Sequence, residues 1–201
     1  MQRASAATRA LLGGSVCLDF ANSVDWASDG TERPSHADVL TSPADLVTLG
    51  RRLGLMSSRV PLEVSGRELR SALALRHSVH AIFASIAAGS KPDARALAAL
   101  HDVYRQAVEH SRLIARKGLW KLHWADEDQR RIRFAVAVDA VELLRDTDRL
   151  ERVRMCPGNN CGWLFVDTSG RRRWCSMQVC GSRAKMRRLY ERQRTTRMSR
   201  R

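Results

Sequence analysis

The chain has 201 residues, is 44% hydrophobic and only 5% aromatic, and carries a formal net charge of +14. This length suits one ordinary domain with a small appendage, and no run approaches the roughly 18–20 apolar residues needed to span a bilayer. The first 14 residues lack the apolar stretch of a secretory signal, so the expected setting is the reducing cytoplasm, where clustered cysteines read as metal ligands rather than disulfides.

The charge is uneven. After Leu150, 13 arginines and one lysine stand against three acids, which leaves the first 150 residues nearly neutral. We therefore divide the chain into a body, residues 1–150, and a basic appendage, residues 151–201, that is suited to a polyanion.

In chain order, Ser15 to Phe20 reads as a short strand or buried segment, with Cys17 as a core thiol, and a polar, turn-rich stretch follows. Ser42-Pro43 starts a helix, as N-cap and first helical residue. Leu46, Leu49, Leu53 and Met56 recur at helical spacing behind it. Ser65 and Glu68 have capping-box spacing, and Leu69, Leu73, Val79, Ile82, Phe83 and Ile86 form a stripe that stops at Gly89. Asp93 to about Leu113 repeats the pattern. Leu113 to Ala125 reads as a hairpin turning at Lys117-Gly118. A further helix runs from about Glu127 to Asp146, with Ile132, Ala135, Val136, Val138, Val141 and Leu144 expected inside. The fold class is thus mainly α with a small β element.

Four of the five cysteines lie within 25 residues, as Cys156-x4-Cys161-x13-Cys175-x4-Cys180. Two close pairs joined by a short loop are the spacing of a four-thiolate Zn2+ site. Four sulfurs leave no position for a water, so the site reads as structural rather than catalytic. A redox pair usually has two residues between its cysteines rather than four. Binding of roughly 10 kcal/mol or more would supply folding energy that so small a unit cannot draw from burial. Between the pairs, Trp163 to Asp167 is strand-like, Thr168-Ser169-Gly170 turns, and Arg171 to Trp174 returns. This predicts a treble-clef-like β-hairpin followed by a helix starting near Cys180, with Trp163 and Trp174 in the knuckle's core.

Here a resemblance becomes specific. Cys-Pro-x3-Cys-Gly-Trp-Leu-Phe-x-Asp-x-Ser, followed by Arg-Arg-Trp-Cys-Ser-Met-x2-Cys-Gly-Ser-Arg, resembles the CGNR zinc finger over about Cys156 to Arg192. Ser182 stands where that family has Asn. The segment Val16 to Ser23 is similar to the opening of the ABATE domain that accompanies this finger, a family linked to stress-induced transcription regulation. The resemblance implies a bacterial-type regulator, and with the cysteine spacing and the basic appendage the reading is a zinc-dependent DNA-binding transcription regulator.

On a helix from Arg183 to Arg194, Met186, Leu189, Tyr190 and Gln193 fall on one arc, expected to pack on the knuckle. Arg183, Lys185, Arg187, Arg188, Arg192 and Arg194 occupy the other faces. With Arg171, Arg172 and Arg173 on the hairpin, they are the candidate nucleic-acid contacts. Arg197, Arg200 and Arg201 form the expected tail. Asp19, Asn22 and Trp26 are candidate lining for a ligand pocket in the body, which would serve as sensor and homodimerisation unit. RNA or ribosome association is the alternative, because arginine-rich helices bind both nucleic acids. An enzyme with a targeting finger is the weakest reading. His77 and His80 are three residues apart rather than the four usual for a helical metal pair, and Asp19 and Asp25 have no evident partner base.

Overall fold

The computed structural model describes residues 5–32, 38–56, 61–116 and 118–198. Lys117, Arg200 and Arg201 lie outside that set, and nothing is described of the Arg197 side chain. The described elements are α1 (Val16–Ala21), α2 (Pro43–Arg52), α3 (Gly66–Ala87), α4 (Ala94–Glu109), β1 (Arg112–Arg116), β2 (Leu119–His123), α5 (Arg131–Arg145), α6 (Thr147–Leu150), β3 (Val153–Met155), β4 (Leu164–Val166), a π-helical turn (Met177–Gly181) and α7 (Ser182–Met198). None of the described helices is long and apolar enough to cross a membrane.

The helix starts follow the expected chemistry. Ser42 and Asp45 form a reciprocal capping box ahead of Pro43, so two orphan amides of the first turn are satisfied. At Ser65 only half the box forms. The hydroxyl accepts from Glu68 N, but the Glu68 carboxylate turns inward to Arg133 at 2.7 Å. Helix α3 ends at Ala87, and Gly89 takes φ +71° just beyond it.

Ser15 to Phe20 is the buried segment and not the strand: Cys17, Leu18, Phe20 and Ala21 are buried on a helix, at the i, i+1, i+3, i+4 spacing of one helix face. Asp139 of α5 fixes the start of this helix, accepting from Cys17 N and Ser15 Oγ at 2.7 Å each. Helix α5 is also buried more broadly than expected. Phe134, Ala137, Ala140 and Leu143 join Ile132 and Val136 inside, while Ala135, Val138, Val141 and Leu144 are only half-buried.

Helices α1 to α5 surround one core that includes Leu18, Phe20, Leu46, Leu49, Ile82, Phe83 and Ile132. The same core contains Val153, Leu164 and Val166 from β3 and β4. The hairpin β1–β2 pairs Ala115 with Trp120 across its turn. It is tied back through Trp124, whose Nε1 donates to Ala107 O at 2.8 Å.

The knuckle's strand pairing differs from expectation. Strand β4 pairs antiparallel with β3, upstream of the first cysteine, with Val153 opposite Val166 and Met155 opposite Leu164. Residues 171–173 have no strand assignment. The other edge of β4 is covered by the N-terminal segment. Val166 N donates to Gly13 O at 2.8 Å. The Asn22 amide brackets Leu164, donating to its O at 2.8 Å and accepting from its N at 3.0 Å.

Candidate metal centre and nucleic-acid interface

Each of the four cysteines is brought in by a different local device. Cys156 directly follows β3, and its amide donates to Trp163 O at 2.9 Å. Asn160, at φ +53°, turns the chain back, and Cys161 N closes the turn on Gly158 O at 3.0 Å. Asn tolerates this left-handed region better than most residues. A Cβ on Gly158 would lie 2.9 Å from Cys180 Sγ, so glycine is required for the knuckle to approach the last cysteine. Cys175 N donates to Cys156 Sγ at 3.3 Å. Cys180 lies in the π-helical turn leading into α7.

The four sulfurs all lie within 4.8 Å of one another. Two of the separations are 3.8 Å, from Cys161 to Cys175, and 3.6 Å, from Cys175 to Cys180. A regular tetrahedron with metal–sulfur bonds of about 2.3 Å has edges of about 3.8 Å, so the donor set fits one Zn2+. Without a cation, four such close thiols cannot ionise together. Hydrogen bonding from Cys161 and Cys175 pulls the Cys156 thiol far down. The same bonding pushes Cys161 up to about 12 and Cys175 higher still, while burial raises Cys180. A divalent cation removes that conflict by holding all four as thiolates. Phe165 is buried among the cysteines, with Trp163 and Trp174 packed against them.

The cage is joined to the body through backbone. Gly162 N donates to Trp26 O at 3.0 Å, and a Cβ at Gly162 would fall 2.8 Å from Trp26 Cβ. Beneath this contact, the His80 ring stacks on Trp26 with centroids 3.8 Å apart. His80 Nε2 lies 2.8 Å from Gly162 O, and a carbonyl only accepts, so this nitrogen carries the proton. Burial, the largest influence, lowers the His80 pKa to about 4. Asp25 accepts from Trp163 Nε1 at 3.1 Å and from Arg9 at 2.6 Å. The Arg9 guanidinium also lies over the Trp163 ring at 4.4 Å. Sequence reasoning missed Arg9 and weighed His80 only as half of a metal pair, because neither an ion pair 16 residues away nor a bond to a carbonyl 82 residues away has a local signature.

The candidate residues are distributed as follows. Arg183, Lys185, Arg187, Arg188, Arg192 and Arg194 are all exposed on α7. Arg171 is exposed, and Arg173 stands over the Trp174 ring at 5.4 Å. Arg172 turns inward. It donates to Leu12 O and Cys175 O at 2.8 and 2.7 Å and covers the Phe165 ring at 4.3 Å. The arc of Met186, Leu189 and Tyr190 does not pack on the knuckle, being 46%, 47% and 64% exposed. Only Gly181 and Ala184 are buried where α7 leaves the cage. Of the three residues read as pocket lining, Asp19 accepts from Gly13 N and Asn22 holds Leu164. Trp26 lines a cleft of 360 Å3 shared with Trp163 and Arg183.

A helical body fused to a four-sulfur cage that carries a cationic helix defines a zinc-finger protein. Residues 14–147 match ABATE, described as "Putative stress-induced transcription regulator", and residues 152–193 match the CGNR zinc finger. The chain belongs to the ABATE family and carries a zinc-binding CGNR finger. Comparison with curated proteins finds no match.

Proposed function

We propose that this protein is a cytoplasmic, zinc-dependent DNA-binding transcription regulator. Cys156, Cys161, Cys175 and Cys180 hold one structural Zn2+, which fixes the base of α7 and presents its cations to the duplex. One observation carries the reading: six cations on α7 are exposed while the first turn of the helix is anchored beside the sulfur cage. Arginine serves here either bidentate to guanine or against phosphate. Arg171 and Arg173 extend the same surface. A small-molecule effector would enter the part of the Trp26 cleft that the metal does not take up, since Cys161, Cys175 and Cys180 also line it.

The test is binding of zinc-loaded full-length protein to labelled duplex DNA by fluorescence anisotropy across a salt series. Six phosphate contacts correspond to a slope of log K against log salt of roughly −5. A slope near zero, or no binding at low salt, contradicts the proposal. Selection from random duplexes is expected to enrich one motif over structured RNA competitors. A palindromic motif would indicate that two copies bind together.

A further inference from the structure

Beside the first cysteine pair runs a second groove, of 440 Å3, which meets the Trp26 cleft at Asn159 and Asn160. Its polar lining consists of Ser28, Arg154, Asn159, Asn160 and Arg187, and no acid borders it. These residues come from three stretches of chain: a loop of the body, the β3–knuckle segment and α7. Arg187 is exposed on α7 and borders the groove from that side. Arg154 is exposed, yet its guanidinium is held by its own backbone: Nη1 donates to Glu151 O at 2.6 Å and to Val153 O at 2.9 Å. Those bonds leave Nη2 and Nε outside that pairing. An arginine already fixed in place loses less rotamer freedom on engaging an anion than one on a free stem. Ser28, Asn159 and Asn160 add hydroxyl and amide donors to the same groove.

We propose that this groove is a phosphate-binding seat in which Arg154 and Arg187 clamp one backbone phosphate of the bound nucleic acid. The cationic surface thereby continues from α7 across the zinc knuckle onto β3. The proposal rests on the DNA-binding reading and adds a contact that reading does not contain. Phosphate contacts set register and affinity without reading sequence, so the seat acts equally on any duplex.

The experiment compares wild type, Arg154→Gln and the charge-matched control Arg95→Gln on exposed α4, all full-length and zinc-loaded, on two duplexes of unrelated sequence. Arg154→Gln is expected to weaken both by about ten-fold and to reduce the salt slope by about one, with Arg95→Gln close to wild type. Independently, inorganic pyrophosphate is expected to shift the side-chain amide resonances of Asn159 and Asn160 in wild type and not in Arg154→Gln. Unchanged affinity in Arg154→Gln, with wild type still bound, overturns the seat and leaves the DNA reading standing. Loss on one duplex alone makes Arg154 a base contact and also overturns it. Failure of wild type to bind either duplex removes both proposals at once.

Discussion

At the scale of single residues, the joint between finger and body depends on a few buried polar groups. Asn22 supplies both hydrogen bonds to the Leu164 backbone on the edge of β4 that β3 does not cover. Asn22→Ala leaves a buried N–H and a buried C=O unpaired, at about 1–3 kcal/mol each. The expected loss is about 2–4 kcal/mol, read from urea unfolding at fixed free zinc, and a change below about 0.5 kcal/mol would contradict this role. His80 makes stability depend on pH. Its pKa is about 4 in the fold against 6.5 ordinarily, so folding favours the neutral ring. Above pH 6.5 both states are neutral and the effect is silent. As pH falls from 6.5 towards 4 the unfolded chain takes up the proton first, and roughly 3 kcal/mol of stability is lost. An imidazole NMR titration should place the midpoint near 4, and a midpoint near 6.5 would show that the Gly162 and Trp26 contacts do not hold the ring.

At the scale of elements, what was legible in the sequence was what is encoded locally. The cysteine spacing, the Ser42-Pro43 start, the Gly89 stop and the hairpin at Gly118 each depend on residues close in the chain, and each is in the fold. For Ser15 to Phe20 the sequence supports a buried segment but does not separate strand from helix over so few residues, and the N-terminus of α1 is set by Asp139, more than 120 positions away. The partner of β4 is not legible because Val153-Arg154-Met155 is too short to read as a strand. Helical spacing groups Met186, Leu189 and Tyr190 on one arc of α7, but spacing does not say which face meets a neighbour, and this one stays exposed. Zinc is expected to decide whether these short elements hold. Elemental analysis should give one zinc per chain. Its removal by a chelator should lower the melting temperature of the chain and remove much of the α7 helicity in circular dichroism, since an isolated helix of this length is marginal in water. Retention of both after metal loss would contradict a structural site.

At the scale of the molecule, the two family matches meet between residues 147 and 152, yet Val153, Leu164 and Val166 lie in the core of the body. A chain ending at Leu150 therefore exposes the apolar surfaces of α1 and α3 that these strands cover. It is expected to bind a hydrophobic dye and to melt at a lower temperature than the full chain, whereas a truncated body as stable as the whole would show the shared core to be dispensable. This fusion was not visible in a charge profile that changes abruptly at residue 150, because charge reports on the surface and says nothing of where strands are buried. It also gives the projecting α7 a mechanical character. Seventeen residues at 1.5 Å each make a rod of about 25 Å, clamped at one end. A tilt of about 10° at that clamp sweeps the far end through roughly 4 Å, close to the 3.4 Å spacing of successive nucleotides along a strand. A slight repacking around Gly181 and Ala184, where the helix leaves the cage, would thereby be amplified about as far as one residue's length at the tip.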